Sequence, residues 1–529
     1  MTTSTPYRST ARDAHDGFGP LLHAEWTKFR TVRGWVIGMI VAVLATAGIG
    51  LFIAKATGNV SCQAGNGPVQ HGAACGQPNY PLGPGGEPVQ DEFYFVSQPL
   101  AGHGSLTVRV TSLTGRFSEQ GPVPGPPVVV PWSKAGIIIK DGTTVGSAYA
   151  AMMITRGNGV RMQWNYTGDT PGLPGTVSAA RPRWLRLARD GDTITGYDSA
   201  DGTHWTRVGA IALTGLPSTV RAGLFVSSPV HTAYSSGLGT GTANNSPTEA
   251  TAVFDHISRT GTWPARAWTG DYIDPRAAAT QQVAGRYHQA AGRFTVTGSG
   301  DIAPLLAGPL NDGPSITIRD YLLGTFVMLI AVAVVATMFM TAEYRRGLIR
   351  TTLAASPHRG RVLAAKAIVI GSAAFVAGLA AAAGAVLIAG AVQPIGISVF
   401  HEPWPAELRI LAGTAALIAV AAVFTLAVAT IVRRSAAAIL IVIVTIVIPF
   451  VLSAPPGVPV GFTGWLLRVT PAAAFALQQP MPQYYQVQAN YIPSSGYFPL
   501  APWTGFAVLC GWTALALVLA GYLLRRRDA

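Results

Sequence analysis

The sequence predicts a polytopic α-helical membrane protein with an all-β domain inserted between its first and second transmembrane helices. Hydrophobic residues make up 49% of the chain, and charged residues make up only 12%, roughly half the share of a typical soluble protein. The apolar residues are clustered into long uninterrupted stretches. Glycine and proline are instead concentrated between residues 57 and 320, which indicates many turns and short strands there.

Six apolar stretches lack Asp, Glu, Lys and Arg, and each has the length of roughly 17 to 26 residues that crosses a bilayer as a helix. They are Gly34–Ala54, Tyr321–Met340, Ala367–Val392, Ile410–Val432, Ala436–Leu452 and Trp503–Leu524. The first stretch is too long, and lies too far into the chain, for a cleavable signal peptide. Residues 1–16 are expected to be a disordered cytoplasmic tail.

The distribution of basic residues predicts the orientation of these helices. Lysine and arginine are abundant before the first stretch, between the second and third, between the fourth and fifth, and after the sixth. The short loops on the opposite side hold only Arg409 and Arg468. Because basic residues favour the cytoplasmic side, both termini are expected in the cytoplasm. The segment from Lys55 to Asp320 is then extracellular, and the protein is a multi-pass protein of the plasma membrane.

The segment before the first apolar stretch, FGPLLHAEWTKFRTVRGW, has a helical pattern of its own. Leu21, Leu22, Trp26 and Phe29 recur at helical spacing, with basic residues close by. This pattern fits an amphipathic helix that lies in the membrane interface. An ordinary juxtamembrane anchor is the alternative. The polar and interfacial residues of interest here are Glu25, Trp26, Lys28 and Arg30.

A second cytoplasmic segment, residues 341–366, connects the second and third apolar stretches and includes the sequence AEYRRGLIRTTLAASPHRGRVLAAK. Its helical pattern is broken by Ser356-Pro357 before the third stretch begins. A basic connector that only fixes the topology would have a similar composition. The candidate functional residues in this segment are Glu343, Tyr344, Arg345, Arg346, Arg350, Arg359 and Arg361.

Together, these two segments resemble the permeases of the second type of ABC exporters, over roughly residues 17–56 and 318–529. The resemblance implies an elbow helix before the first span and a coupling helix, within residues 341–366, that docks on a cytoplasmic ATPase subunit. It also implies a homodimer or pairing with a second permease. Members of this family usually have a modest loop between the first two spans, whereas this chain carries a large insertion there.

ATP hydrolysis is expected from a separate chain. The sequence contains no GxxxxGK[ST] phosphate-binding loop, which an ATPase of this class needs to hold the nucleotide phosphates. ATP and magnesium are therefore expected in the partner subunit, and no cofactor is expected in this chain, which is predicted to be non-catalytic.

The inserted region contains short alternating runs separated by Gly, Asp and Pro, which predict an antiparallel β-sandwich. The runs WSKAGIIIKDG, WLRLARDGDTITGYDSADGTHWTRVG and RAGLFVSS resemble the concanavalin A-like lectin/glucanase fold. The resemblance covers about residues 88–258, and residues 290–318 are candidates to complete the sheet. No ExDxE-type strand is found, so glycosidase activity is not expected.

Aromatic residues in this region are candidates for stacking on sugar rings of an envelope glycan. They are Trp132, Trp164, Tyr166, Trp184 and Trp205. Core packing and cross-strand pairing are the alternative for such residues in a sandwich. His204, beside Trp205, is interpreted as a hairpin residue. No spacing typical of metal ligands is present.

Two further features bear on location. Cys62 and Cys75 lie in one glycine-rich segment and are a candidate disulfide outside the cytoplasm, with two free thiols as the alternative. The net charge of +13 is explained by basic residues that flank the apolar stretches. No nucleic-acid reading motif accompanies it. Frequent alanine and the preference for arginine over lysine suggest a high-GC, Gram-positive (actinobacterial) source.

The predicted function is therefore that of an ABC transporter permease subunit that forms an export pathway. A membrane-anchored protein that recognises an envelope glycan, without transport activity, is the alternative. An ion-coupled secondary transporter is disfavoured because no carboxylate lies within an apolar stretch. The sequence does not indicate the transported substrate.

Overall fold

The computed structural model describes most of the chain. The described residues are 17–57, 61–62, 70–71, 80–118, 126–237, 240–264, 267–274, 285–307, 316–345, 358–392, 400, 402–453, 460–487, 491, 493 and 496–526. The predicted disordered tail, residues 1–16, lies outside them.

Two helices precede the inserted region. Helix α1 (Phe18–Thr31) buries Glu25 and Phe29, one helical turn apart, and exposes most of its other side chains. Val32 has an extended backbone and ends α1. Helix α2 (Arg33–Thr57) follows at once. This break lets the amphipathic helix and the apolar helix take different directions.

The remaining helices follow the inserted region. They are α3 (Ile318–Tyr321), α4 (Thr325–Arg345), α5 (Arg359–Val392), α6 (Trp404–Val432), α7 (Ser435–Val442), α8 (Ile448–Ser453), α9 (Val460–Val469) and α10 (Pro502–Arg526). Two 3-10 segments, Leu322–Gly324 and Pro471–Gln478, lie between them.

Six helical stretches of the described residues are long and apolar enough to cross a membrane. They are Arg33–Ala56, Ile318–Tyr344, Arg359–Val392, Trp404–Val432, Ser435–Ser453 and Pro502–Arg526. Large apolar side chains point outward from several of them, for example Phe52, Leu387 and Val518, which are 69%, 71% and 72% exposed. Such exposed apolar surface fits contact with lipid rather than with water.

The fifth of these stretches contains a π-helical turn, Ile443–Val447, between α7 and α8. Pro449 follows two residues later. A proline inside a helix lacks the N–H of a regular turn and clashes with the carbonyl four residues earlier, which here is the carbonyl of Thr445. The wider π turn contains that carbonyl, and it accommodates the proline without ending the helix.

The inserted region is a large β-sandwich. A short hairpin, β1 (Ser61–Cys62) and β2 (Gln70–His71), precedes it. The strands that follow are β3 (Val89–Asp91), β4 (Tyr94–Phe117), β5 (Lys134–Lys140), β6 (Tyr149–Thr155), β7 (Gly159–Trp164), β8 (Gly168–Pro171), β9 (Arg183–Asp190), β10 (Thr193–Ser199), β11 (Thr206–Ala212), β12 (Thr219–Ser227), β13 (His231–Gly237), β14 (Thr240–Ser246), β15 (Thr248–Thr262), β16 (Thr269–Tyr272), β17 (Arg286–Ala290), β18 (Arg293–Gly298) and β19 (Ile302–Pro304).

One long strand, β4, takes part in both layers of the sandwich. Its first part pairs with β16 and β12, and its second part pairs with β15 and β9. The first layer has the order β16-β4-β12-β5-β6-β7-β8, and the second has the order β17-β18-β15-β4-β9-β10-β11. Gly102, with φ of 63°, lies where β4 passes from one layer to the other, and glycine adopts this backbone conformation without strain.

The first layer is buried on both faces. Ile137 and Ile139 of β5 point into the main core between the layers, while Ile138 points to a second core on the opposite face. This second core is covered by residues from β3 and β19, among them Val89 and Ile302. The alternation of strand side chains thus explains why every residue of β5 is buried.

The two chain segments that lead into and out of the sandwich are held together at this second core. Strands β3 and β19 pair antiparallel, with Ile302 opposite Asp91. Lys140 Nζ lies 2.7 Å from Asp91 Oδ2, and Lys134 Nζ lies 2.6 Å from Asp301 Oδ1. Both lysine side chains are fully buried. Each end of β5 therefore fixes one of the two connections to the helices.

The sandwich also contacts the segment between the 3-10 helix Pro471–Gln478 and α10. Gln486 Nε2 donates hydrogen bonds to the carbonyl oxygens of Tyr166 and Thr167, at 3.3 and 2.9 Å. Met481 and Tyr497 of the same segment pack with Leu306 and Ala307, just after β19. The sandwich is therefore attached to the helices through its connections and through this segment.

Candidate functional site

Four charged side chains meet where α4 ends and α5 begins. Lys366 Nζ donates hydrogen bonds to Glu25 Oε2 and Glu343 Oε1, both at 2.7 Å. Lys28 Nζ donates to Glu25 Oε1 at 2.8 Å and to Glu343 Oε1 at 3.1 Å. Two ammonium groups and two carboxylates balance each other. We call Glu25, Lys28, Glu343 and Lys366 the charge cluster.

The charge cluster joins three helices. Glu25 and Lys28 belong to α1, Glu343 to the last turn of α4, and Lys366 to the third turn of α5. Glu25 and Lys366 have no solvent exposure, and the side chain of Glu343 is 9% exposed. Buried charges are tolerated when each has a close partner of opposite sign. The cluster therefore requires that these three helices stay together.

Aromatic rings cover the cluster on one side. Lys366 Nζ lies 4.6 Å from the ring centroid of Phe339, a distance typical of a cation–π contact. Phe339 packs edge-on against Phe29 of α1 and Trp35 of α2, with centroid distances of 5.9 and 5.3 Å. These rings exclude water from Lys366 and strengthen its interactions with the carboxylates.

Lys28 is the member of the cluster that reaches solvent, with 42% of its side chain exposed. Burial lowers its pKa, but hydrogen bonds and charges from Glu25 and Glu343 outweigh that effect and raise the pKa above its usual value. Lys28 is therefore charged at neutral pH. Glu343 Oε2 is buried and accepts no hydrogen bond from a described residue.

Three residues predicted from sequence, Glu25, Lys28 and Glu343, are thus brought together. The other two predicted residues of α1 lie elsewhere on the helix. Trp26 is 41% exposed and stacks on Phe29 with a centroid distance of 6.1 Å. Arg30 is exposed.

The other described candidate residues of the segment 341–366 lie outside the charge cluster. Tyr344 lies under the guanidinium of Arg433, at 5.1 Å from the ring centroid. Arg359 Nη1 donates a hydrogen bond of 2.6 Å to the carbonyl oxygen of Leu524, near the end of α10. Arg361 is exposed. The side chain of Arg345 and the whole of Arg346 and Arg350 lie outside the described residues.

Lys366 is the member of the cluster that sequence reasoning missed as a partner of the carboxylates. In the sequence it is one of several basic residues between the second and third apolar stretches. Val362, Val369 and Ile370 are buried on one face of α5, and Lys366 falls on that face by helical spacing. A lysine within a buried apolar stripe needs an acidic partner. This requirement is the feature of the sequence that could have identified Lys366 as a partner of the carboxylates.

Two candidate sugar-binding residues are buried, which is a correction to the prediction from sequence. Trp132 is 7% exposed, with the Arg161 guanidinium 5.8 Å from its ring centroid. Tyr166 is 1% exposed, packs edge-on against Tyr149, and accepts a hydrogen bond from Lys140 at 3.2 Å. Neither ring can stack on a sugar, because both are used in packing.

The other three rings are half-buried and lie on different layers. Trp164 belongs to β7 in the first layer and packs against the main core. Trp184, on β9, lies in the second layer beside Arg109 and His256. Trp205 precedes β11, and the Arg186 guanidinium lies 3.9 Å from its ring centroid. His204 lies in the turn that contains Asp201, to which its Nδ1 is hydrogen-bonded.

The disulfide prediction lies outside the described part of the chain. The backbone of Cys62 belongs to β1, but its side chain and the whole of Cys75 are not among the described residues. Within the described residues, Cys510 is a free thiol. In that same part of the chain, no group of three or more His, Cys, Asp and Glu side chains could hold a metal ion.

Glu402, just before α6, is expected to make stability depend on pH. Burial raises its pKa to about 7, opposed in part by backbone amide groups and reinforced by Glu407 and Asp320. The unfolded chain has the ordinary value near 4.5. The folded state therefore holds the proton more tightly, and its stability falls as the pH rises from 5 to 8, by about 2–3 kcal/mol from this group.

Thermal unfolding in detergent at constant ionic strength measures this effect. The variant Glu402→Gln, which is neutral at every pH, should show a smaller decrease in melting temperature between pH 5 and pH 8. An equal decrease in the variant and in the wild type would assign the pH dependence to other groups.

A family model described as ABC-2 family transporter protein matches residues 212–529 of this chain. The match begins at the end of β11 and includes five of the six helical stretches that could cross a membrane. It does not include α1 and α2. No curated protein matches the sequence.

Several solved structures share a limited similarity with the chain. Scytalido-glutamic peptidase, solved with a transition-state analogue inhibitor, is 10% identical with a TM-score of 0.24, covering 39% of this chain and 98% of that one. The GH43 protein BlXynB from Bacillus licheniformis is 15% identical with a TM-score of 0.19, covering 30% and 28%. A functionally unknown protein from Saccharomyces cerevisiae is 12% identical with a TM-score of 0.19, covering 39% and 97%. Similarities of this size establish neither a fold family nor an activity.

Proposed function

The chain belongs to the ABC-2 family of transporter proteins, and from this membership we propose that it is the permease subunit of an ABC exporter. The match over residues 212–529 is the observation that carries the proposal. It agrees with the resemblance found in the two cytoplasmic segments of the sequence. The protein is accordingly a multi-pass membrane protein, and its helices provide a pathway while another chain provides the energy.

The proposed orientation has both termini in the cytoplasm and the β-sandwich outside the cell. It rests on the unequal distribution of lysine and arginine between the two ends of the apolar stretches. The charge cluster then lies at the cytoplasmic end of the bundle, and Gln486, which contacts the sandwich, lies at the extracellular end. The sandwich would stand above the exit of the pathway.

The proposed docking site of the ATPase is the segment 341–366. The charge cluster supports this role because it ties α1 to the two helices that this segment connects. A force applied to the connection between α4 and α5 would be transmitted to α1 through Glu343, Lys366 and Glu25. ATP and magnesium would bind to the partner, whose closure on nucleotide would move the three helices as one unit.

The proposed assembly is a dimer, with a second copy of this chain or with another permease. Each subunit would form half of the pathway with its six helices. Alternating opening to the two sides of the membrane would follow from the movement of these helices during the ATPase cycle.

Purification of the tagged full-length chain from its own host, in mild detergent, tests the proposal. An ATPase should be retained with the wild-type protein and give measurable ATP hydrolysis. The double variant Arg346→Ala/Arg350→Ala removes two charges from the proposed docking segment. We expect it to lose most of the bound ATPase, with at least a tenfold decrease in hydrolysis per permease, because several charge-assisted contacts are removed.

The matched control is Arg8→Ala/Arg12→Ala, which removes two arginines of the N-terminal segment, outside residues 341–366. It should retain the ATPase. If no ATPase were found with the wild-type protein, the exporter function would be refuted. Equal losses in both double variants would show that net charge, rather than the segment 341–366, determines ATPase binding.

A further inference from the structure

A cleft of about 600 Å³ opens on the sandwich, at one end of the second layer. Its volume lies within the usual range of small-molecule sites, about 300–1,000 Å³. Six of its eleven lining residues are polar or charged: Arg109, Asp255, His256, Arg259, Gln289 and Arg293. Such a lining fits a hydrophilic ligand and does not fit a drug-like apolar one.

The charges in the cleft favour an anion. The lining contains three arginines, Arg109, Arg259 and Arg293, and a single carboxylate, that of Asp255, which is also 3.0 Å from His256 Nδ1. Both oxygens of this carboxylate are already bound by Arg109, at 2.7 and 2.9 Å, and this hydrogen bonding holds the pKa of Asp255 below its usual value. Arg293 is exposed, and no ion-pair partner for it is found among the described residues. Its guanidinium therefore has its donors available for a carboxylate or phosphate.

Aromatic rings stand beside these charges. The Arg259 guanidinium lies 5.6 Å from the ring centroid of Trp268, which also lines the cleft and is half-buried. His256 packs edge-on against Trp184 with a centroid distance of 5.4 Å. Phe294 packs edge-on against the same Trp268 ring, with a centroid distance of 5.5 Å. These contacts fix the positions of Arg259 and Trp268, and the exposed edge of the indole offers an apolar contact for a sugar ring.

One backbone position in the cleft has a left-handed conformation that no hairpin turn requires. His256 has φ of 47° at a bulge of β15, whereas the left-handed Ala291 and Gly292 form an ordinary two-residue hairpin turn between β17 and β18. A left-handed conformation in a residue other than glycine costs about 1–3 kcal/mol and is enriched at binding sites. The bulge turns His256 out of the regular strand pattern, and the tight turn places Arg293 at the rim.

We propose that this cleft binds an anionic saccharide of the cell envelope, with the Arg293 guanidinium and His256 contacting its carboxylate or phosphate group and Trp268 contacting a sugar ring. The permease would thereby be held at, or directed to, an acidic envelope polymer. The proposal rests on the extracellular orientation proposed above for the sandwich, but it does not depend on transport itself. The cleft is also separate from the buried rings of Trp132 and Tyr166.

Binding measurements on the full-length chain in detergent, by isothermal titration calorimetry, test this proposal. One probe is an oligosaccharide that contains glucuronate, and a second is a glycerol-phosphate oligomer. The neutral counterpart of the first probe, with glucose in place of glucuronate, is the reference. We expect at least one anionic probe to bind, and the neutral oligosaccharide to bind at least tenfold more weakly.

Two variants then locate the site. Arg293→Gln should weaken binding of the anionic probe about tenfold, because a charge-assisted contact is lost. Arg207→Gln removes an exposed arginine of β11, away from the cleft, and should bind as the wild type does. The proposal is overturned if neither anionic probe binds at millimolar concentration, if the neutral oligosaccharide binds equally well, or if Arg293→Gln and Arg207→Gln behave alike.

Discussion

Replacing Lys366 with methionine should destabilise the helical bundle by about 3–5 kcal/mol, the cost of removing one partner from a buried ion pair. Methionine has nearly the length of lysine and fills the space beside Phe339. It leaves Glu25, which has no solvent exposure, with Lys28 as its remaining cationic partner. Because whole domains are stable by only about 5–15 kcal/mol, the loss should be large.

Thermal unfolding in detergent, followed by the loss of monodisperse protein in size-exclusion chromatography, measures this loss. Lys55→Met is the matched control, because Lys55 is an exposed residue near the end of α2. The triple variant Lys366→Met/Glu25→Gln/Glu343→Gln removes the two buried negative charges and should recover part of the stability. A melting temperature of Lys366→Met equal to that of Lys55→Met would show that the cluster does not hold the three helices together.

Replacing Lys140 with methionine should have a comparable effect in the sandwich, again about 3–5 kcal/mol. Burial lowers the pKa of Lys140, and the charge of Asp91 opposes this decrease. Without Lys140, Asp91 still accepts the hydrogen bond from the Gly146 amide, at 2.8 Å. A fully buried carboxylate would then lack a cation, and strand β3 would lose its attachment to the first layer.

Hydrogen exchange followed by mass spectrometry measures this attachment in the full-length protein. The backbone amides of Val89–Asp91, Ile302 and Ala303, which belong to the paired strands β3 and β19, should exchange faster in Lys140→Met than in the wild type. The double variant Lys140→Met/Asp91→Asn removes the uncompensated charge and should restore much of the protection. Unchanged exchange in Lys140→Met would mean that apolar packing alone holds the two connections.

The predicted architecture rests on patterns that extend over many neighbouring residues. An uncharged stretch such as Trp503–Leu524 can be recognised from composition alone, because a bilayer requires length and apolarity. The sandwich follows from alternation and turn residues, which are also local. The break at Val32 and the π turn before Pro449 also depend on neighbouring residues. The type of turn that accommodates a proline in a helix depends in addition on the residues packed around it.

The parts that could not be predicted depend on contacts between distant segments. Glu25 and Lys366 pair across more than half of the chain. The sequence around either residue does not indicate which residue is its partner. The same holds for Lys140 and Asp91, which are 49 positions apart in the chain. Trp132 and Tyr166 show the converse, because an aromatic residue has the same local pattern whether it faces the core or the solvent.

The position of the sandwich in the chain has a consequence for biogenesis. Helix α2 leaves the ribosome before residues 58–317, and at roughly 5–20 residues per second their synthesis occupies on the order of tens of seconds. During that delay α2 has no partner helix in the bilayer. Among the described side chains of α2, the buried polar one is that of Thr46. Its hydroxyl donates to the carbonyl oxygen of Ala42 in the same helix, at 2.8 Å, so it needs no second helix during this interval. Only later does the same hydroxyl approach the Gly324 carbonyl oxygen, at 3.1 Å, so α2 is stable in lipid first and becomes part of the bundle afterwards.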